Sequence, residues 1–137
     1  MSTENQKLQI DNACKAAEEF TKLYYYSFDM KRHKINKFYM NNATLSWDGN
    51  PATGKDDIQK FLEELPETVH NMIALDAQPV TYEGMKNEQI ILVQAGGTIK
   101  FPSKKETKGF TQSFLITADD RKWRIVSDTC RLQVPIK

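Results

Sequence analysis

The sequence is poor in residues that bind metals or cross-link chains. It has two cysteines, Cys14 and Cys130, and two histidines, His33 and His70. No C-x-x-C motif occurs, and neither histidine stands at a metal-ligand spacing from a cysteine, so no zinc site is expected. In a reducing compartment both cysteines should behave as small buried hydrophobic residues. No cofactor-binding motif occurs either, and we expect no cofactor.

Long apolar runs and a strong net charge are also lacking. The longest aliphatic run, residues 90–93, is far too short to cross a bilayer, and the first residues lack the apolar core of a secretory signal. We therefore expect a protein of the cytosol or nucleus. The formal net charge is +1, so no global field draws the chain to nucleic acid or membrane. Short basic clusters at 31–37 and 104–108 are interpreted as solvated surface.

The chain has no repeat, low-complexity block or flexible linker, which predicts one domain over residues 1–137. Apolar residues at three- and four-residue spacing predict a long first helix over 6–28. The buried stripe of this helix is expected to contain Ile10, Ala13, Ala17, Phe20, Tyr24 and Phe28. A short second helix is predicted over 31–39. A third begins at 53–56, where Thr53 can cap it, and ends before Pro66.

The apolar spacing changes from helical to alternating after the third helix. Strands are predicted over 43–47, 69–78, 88–101, 110–117 and 122–134. An Asp-Gly pair at 48–49 predicts a tight turn, Pro79 a break or bulge, and the paired glycines at 96–97 a bend or a close approach of another backbone. This order predicts an α+β fold, a curved antiparallel sheet with three helices on its concave face, shaped like a cone.

The closing hairpin mixes polar residues into strands that otherwise look fit for burial. Gln112, Arg131 and Gln133 are the polar residues concerned, and Gln94 and Phe114 are expected as their neighbours on the outer face of the sheet. A semi-polar sheet face is often covered by another protein, so these five residues are the predicted partner-binding set. The alternative is an ordinary solvated face. Which strand parity faces outward also depends on whether the strands are bulged, since a bulge would exchange the two faces.

Four segments together resemble the nuclear transport factor 2-like family. They are ACKAAEEF at 13–20 followed by the tyrosines at 24–25, ATLSWDGN at 43–50 with residues 39–40 and 54, DAQPV at 76–80, and FTQSFLITA at 110–118 with residues 123 and 127–131. Each segment is a weak signal alone, but the set covers nearly the whole chain in the expected order. Within the family, the sequence is most similar to the small subunits that pair with the nuclear mRNA export receptor.

The resemblance implies a heterodimer in which two cone-shaped domains pack sheet against sheet. The receptor would bind RNA adaptors and most nucleoporins, so this chain would contact RNA only indirectly, and direct contact with Phe-Gly nucleoporins stays open. Residence in the nucleus, in the cytoplasm and at the nuclear pore is implied as well.

The resemblance also implies that Arg131 pairs with a carboxylate of the partner. In a two-fold homodimer, a residue near the axis would meet its own copy, and two guanidinium groups would repel each other. An acid on a different partner removes this conflict and suits bidentate pairing. From position alone, Arg131 could equally be a surface-edge residue of little energetic weight.

The same family contains isomerases and dehydratases, which place an acid or histidine and a tyrosine inside the cone. The candidates here are Tyr24, Tyr39, Asp48, His70 and Asp76. No spacing singles out a catalytic triad, and each candidate has a structural explanation. Asp48 belongs to a turn, and Asp76 is expected in a bulge bonded to its own backbone. His70 is expected at an exposed strand start, and the tyrosines are expected to pack in the core. We therefore expect a non-catalytic protein. A homodimeric carrier of the small GTPase Ran is the remaining alternative, although no acidic cluster supports it.

Overall fold

The computed structural model describes residues 3–80 and 89–133. Its three main helical segments are α1 Thr3–Met30, a 3-10 helix Arg32–Phe38, and α2 Lys55–Glu63, and a short 3-10 turn covers Pro102–Lys104. Its strands are β1 Tyr39–Trp47, β2 Asn50–Thr53, β3 Val69–Val80, β4 Ile90–Phe101, β5 Glu106–Asp119 and β6 Lys122–Gln133. This order confirms the predicted helices and the five predicted strands, and it adds the short strand β2, which was not among them. The predicted strand ends at Glu88 and Val134 lie outside the described residues.

The six strands form one sheet in the order β2-β1-β6-β5-β4-β3. Strands β1 and β6 are parallel, and the other neighbouring pairs are antiparallel. The sheet is therefore mixed where the sequence predicts an antiparallel one, because the parallel pair joins the first and last strands and has no hairpin between them. The curved sheet with three helices confirms the predicted α+β fold.

Helix α1 packs on the sheet through most of its predicted stripe. The buried stripe residues are Ala13, Ala17, Phe20, Tyr24 and Phe28. Ile10 was expected among them, but 48% of it is exposed. The buried residues of α1 begin only at Ala13, so the turns before it extend past the core. The predicted cap of α2 is also wrong, since Gly54 occupies the N-cap position and no side chain caps the helix.

A close backbone approach shapes the edge of the sheet at Gly97. A Cβ at this position would lie 2.0 Å from the carbonyl oxygen of Asn71 on β3, so only glycine fits, as the sequence predicts. The bulge of β3 leaves Ile73 without a partner on β4, between two paired neighbours. The break or bulge predicted at Pro79 is wrong, since this residue remains in regular register on an edge strand, which tolerates a missing N–H.

Candidate partner-binding face

The two faces of the sheet differ along its last two strands. The buried side chains are Phe110, Gln112, Phe114 and Ile116 on β5, with Ile125, Asp128 and Cys130 on β6. Between them, Thr111 and Ser113 on β5 and Thr129 and Arg131 on β6 are exposed or half-buried. The face turned away from α1 is called the outer face below.

The prediction that Gln112 and Phe114 lie on the outer face is wrong. Both side chains are buried on the core face, with 2% and 0% exposure, because they share strand parity with Phe110. The core accepts Gln112 because both ends of its amide are bonded. Its Oε1 accepts a hydrogen bond from the Tyr25 hydroxyl at 2.8 Å, and its Nε2 donates to Oδ1 of Asp128 at 2.8 Å.

Gln94, Arg131 and Gln133 lie on the outer face, as the sequence predicts, and all three are exposed. Gln133 stands beside Gly109 of β5, and a Cβ on that glycine would lie 3.7 Å from the glutamine side chain. Contact of these three residues with a partner stays a prediction.

Small hydroxyl side chains form the centre of the outer face. Ser46, Thr129 and Ser113 stand side by side on β1, β6 and β5. The same row continues to Gln94 on β4 and Asp76 on β3. A second row contains Thr44, Ser127 and Leu115. Hydroxyl groups cost far less to remove from water than charged groups, so this surface suits contact with a second sheet.

Arg131 is a cation at the edge of these hydroxyl rows. It stands beside Thr111 on β5, and its Nη1 lies 3.7 Å from the position that a Cβ on Gly49 would occupy. Asp48, the acid of that turn, instead accepts a hydrogen bond from the N–H of Leu132 at 3.2 Å. Within residues 3–80 and 89–133, Arg131 forms no ion pair or hydrogen bond. Its guanidinium is therefore free to meet a carboxylate of another molecule.

Asp48 and Asp76, both catalytic candidates from the sequence, lie outside the core. Asp48 has a positive φ of 47° in the turn between β1 and β2, as its predicted turn role requires. The predicted bulge at Asp76 is wrong, since this residue pairs in register with Gln94 on β4. Asp76 is exposed on the outer face. It lies three strand spacings from Arg131 across the sheet, about 14 Å, and is also offset from it by two residues along the strands.

A buried polar network lies directly beneath the outer face, around Asp128. The Tyr39 hydroxyl donates to Oδ2 of Asp128 at 2.7 Å, and the Tyr24 hydroxyl lies 2.6 Å from that of Tyr39 and 3.4 Å from Oδ2. Gln112 bonds the other carboxylate oxygen and extends the network to Tyr25. The sequence identified both Tyr24 and Tyr39 as candidates but missed the acid that joins them.

Burial raises the pKa of Asp128 from an ordinary 3.8 to about 6, although hydrogen bonds from Gln112, Tyr39 and Tyr24 lower it in part. Burial, and then the charge of Asp128, raise the pKa of both tyrosines well above 10. The hydroxyls therefore keep their protons and serve as donors. The network holds α1, β1, β5 and β6 together through one carboxylate.

Aromatic rings fill the space around this network. The ring centroid of Tyr24 lies 5.8 Å from that of Phe20, 5.6 Å from that of Phe38 and 5.1 Å from that of Phe114. Acid–base catalysis requires substrate within hydrogen-bond reach of the acid. Here side chains of the chain itself occupy the positions around the acid, so the network favours a packing role over catalysis.

His70 belongs to a second buried pair and not to an exposed strand start, so that prediction is wrong. Its side chain is 1% exposed, and its Nδ1 lies 2.7 Å from Oδ1 of Asp29. The other carboxylate oxygen accepts the backbone N–H of His70 at 2.8 Å. Burial would raise the pKa of Asp29, but the bonds and charge of His70 outweigh it and lower the pKa. The pair ties the end of α1 to the start of β3.

In the described part of the chain, no group of three or more His, Cys, Asp or Glu side chains could hold a metal ion. None of the described helices combines the length and apolarity needed to span a membrane. Cys130 is buried, as predicted, and Cys14 is half-buried, and both are free thiols.

Comparison with known proteins gives a family match over most of the chain. The nuclear transport factor 2 (NTF2) domain matches residues 16–132. The human NTF2-related export protein 2 is 37% identical over 131 residues, which cover 93% of this chain and 92% of that protein. The name of this relative describes an export protein and not an enzyme.

Two solved structures show the same fold at low sequence identity. NTF2 from Cryptosporidium parvum has a TM-score of 0.76 and 21% identity, covering 91% of this chain and 95% of that one. A chain of the C. albicans Mtr2–Mex67 M domain complex has a TM-score of 0.70 and 16% identity, covering 91% and 99%. By its domain match, its human relative and its fold, this chain belongs to the nuclear transport factor 2 family.

Proposed function

We propose that this chain is a non-catalytic subunit that pairs with the NTF2-like domain of the nuclear mRNA export receptor and so supports mRNA export through nuclear pores. The observation that most supports it is Arg131, an exposed cation without an ion pair within the described residues, at the edge of hydroxyl rows. The name of the human relative and the C. albicans complex support this class of partner. The subunit acts in nucleus, cytoplasm and pore.

The outer face suits a sheet-to-sheet contact for energetic reasons. Its central side chains, Ser46, Ser113 and Thr129, have hydroxyl groups that can bond across an interface and leave no buried charge. Arg131 then supplies specificity, because a buried guanidinium requires a carboxylate opposite it. A partner with an acid at this position is selected over a partner without one.

Contact with RNA is expected only through the receptor. The formal net charge of +1 gives no continuous field toward phosphate. The subunit would support the complex by holding the receptor domain in its paired form. It needs no cofactor for this role.

A large side chain in the hydroxyl row tests the proposed face. Ser113→Arg places a long charged side chain where the two sheets would meet, and it should abolish co-purification with the receptor's NTF2-like domain. Ser103→Arg introduces the same side chain in the turn between β4 and β5, at an exposed position, and should leave co-purification unchanged. Normal binding by a folded Ser113→Arg variant would exclude this face.

A homodimer is the second candidate, because Asp76 is exposed on the same face as Arg131. In a two-fold assembly, Arg131 of one copy could meet Asp76 of the other. Sedimentation of the chain alone separates the two functions. The proposed heterodimer predicts a chain that is monomeric until the receptor domain is added. The second candidate would be favoured by a stable homodimer that does not bind the receptor domain and that Asp76→Lys disrupts.

A further inference from the structure

A polar groove opens where β1 separates from its neighbour β6. Tyr39 pairs with Ile125, and the next regular pair is Thr44 with Ser127. Strand β1 thus advances five residues while β6 advances two, so four residues of β1 and one residue of β6 stay unpaired between these two pairs. A groove of about 710 Å³ lies at this irregularity. It is separate from the hydroxyl rows of the outer face.

Cations predominate in the lining of this groove. Lys37, Lys55 and Arg124 line it, with Asp119 as the acid. The guanidinium of Arg124 is oriented by a hydrogen bond from Nη1 to the carbonyl oxygen of Lys37. None of the three cations has an ion pair among the residues that the structure describes. Their charge is therefore available to an anionic ligand.

Three side-chain amides supply most of the remaining polar lining. They belong to Asn36, Asn41 and Asn42, and none of them bonds to another residue in the described part of the chain. A primary amide offers one acceptor and two donor hydrogens, which match the N–H and C=O groups of an extended peptide. The aromatic lining residue, Tyr39, is only 3% exposed, so nucleic-acid bases find no stacking surface here.

We infer that this groove binds an acidic peptide segment of another protein. The asparagine amides pair with the peptide backbone, and the carboxylates of the peptide meet Lys37, Lys55 and Arg124. A single exposed ion pair contributes little, so the segment needs several acids. Because salt screens exposed charges, binding should weaken as ionic strength rises. This inference is independent of the pairing proposed for the outer face.

Titration of the full chain with a fluorescent glutamate-rich peptide at low salt tests the inference. Reversing two cations with Lys37→Glu and Lys55→Glu should weaken binding by about tenfold or more. Lys7→Glu with Lys15→Glu on α1 changes the net charge equally and should weaken it less than about twofold. Removing two amides with Asn41→Ala and Asn42→Ala should weaken it about fivefold. Circular dichroism confirms that each variant is folded.

Three results would overturn the inference. The first is equal weakening by the two charge-reversed pairs, since the peptide would then respond only to net charge. The second is tighter binding of an oligouridylate than of the peptide, which would identify a nucleic-acid surface. The third is the absence of peptide binding to the wild-type chain at low salt.

Discussion

Asp128, the acid at the centre of the buried network, should destabilise the chain at neutral pH. Burial raises its pKa to about 6, so the folded state prefers the protonated form. Asp128→Asn keeps the shape and removes the charge. A flip of the Gln112 amide would let its oxygen accept from the new amide and its nitrogen donate to Tyr25, so the bonds of the network are replaced.

The size of the effect follows from the difference between the two pKa values of Asp128. The change from 3.8 to about 6 is about 2 units, and at about 1.4 kcal/mol per unit this makes ionisation cost about 3 kcal/mol. The pKa of Asp128 is higher in the folded state than in the unfolded state. The stability that protonated Asp128 contributes is therefore fully present below the unfolded pKa and is lost as pH rises toward about 6. The free energy of unfolding of Asp128→Asn, relative to that of wild type, should therefore increase between about pH 4 and 6, by up to about 3 kcal/mol.

Urea unfolding of wild type and Asp128→Asn, followed by circular dichroism from about pH 4 to 7, measures this difference. Asp29 contributes with the opposite sign, since its lowered pKa means that the stability it provides is lost as pH falls. This contribution is the same in both proteins and cancels in the difference between their unfolding free energies. As a control, Asp128→Ala also removes the charge but leaves the Tyr39 and Gln112 donors unbonded, so it should be about 1–3 kcal/mol less stable than Asp128→Asn across this pH range. A difference between Asp128→Asn and wild type that stays flat across this pH range would refute the reasoning.

Two further substitutions test the packing of the sheet and the second buried pair. Gly97→Ala brings a Cβ within 2.0 Å of the Asn71 carbonyl oxygen and should lower stability by at least about 1–3 kcal/mol. Gly96→Ala, whose nearest contact is 3.5 Å, is the matched control in thermal unfolding and should cost less than about 1 kcal/mol, so equal losses would contradict the close approach. Asp29→Asn weakens the bond to His70 and should cost about 1–3 kcal/mol at neutral pH. This loss should shrink as pH falls below about 4, and urea titrations that show a constant loss would contradict the assigned role.

The local elements could be predicted because their signals lie within a few residues. The stripe of α1 from Ala13 to Phe28 and the Asp-Gly turn at 48–49 needed no information from distant parts of the chain. The glycine requirement at Gly97 was also visible, since paired glycines in a strand indicate a close approach. Ile10 shows the limit of such patterns, because helical period alone does not reveal where the sheet ends.

The assignment of faces was harder because polarity does not fix exposure. Gln112 was placed outside for its amide, although alternation with Phe110 and Phe114 would have placed it inside. Alternation along β6 places Asp128 on the same face as the buried Cys130, but an acid is seldom buried without a partner, and the sequence did not show its partners. Two of its partners, Tyr39 and Tyr24, lie 89 and 104 positions away in the chain, and only the folded structure brings them together.

The most direct test of the proposed function is the affinity of this chain for the receptor's NTF2-like domain, measured by isothermal titration calorimetry. Arg131→Glu should weaken it by at least about two orders of magnitude, since breaking a buried charge pair costs about 3–5 kcal/mol. Lys15→Glu on α1, with the same change of charge, should stay within about twofold of wild type. Undiminished affinity of a folded Arg131→Glu variant would contradict the account.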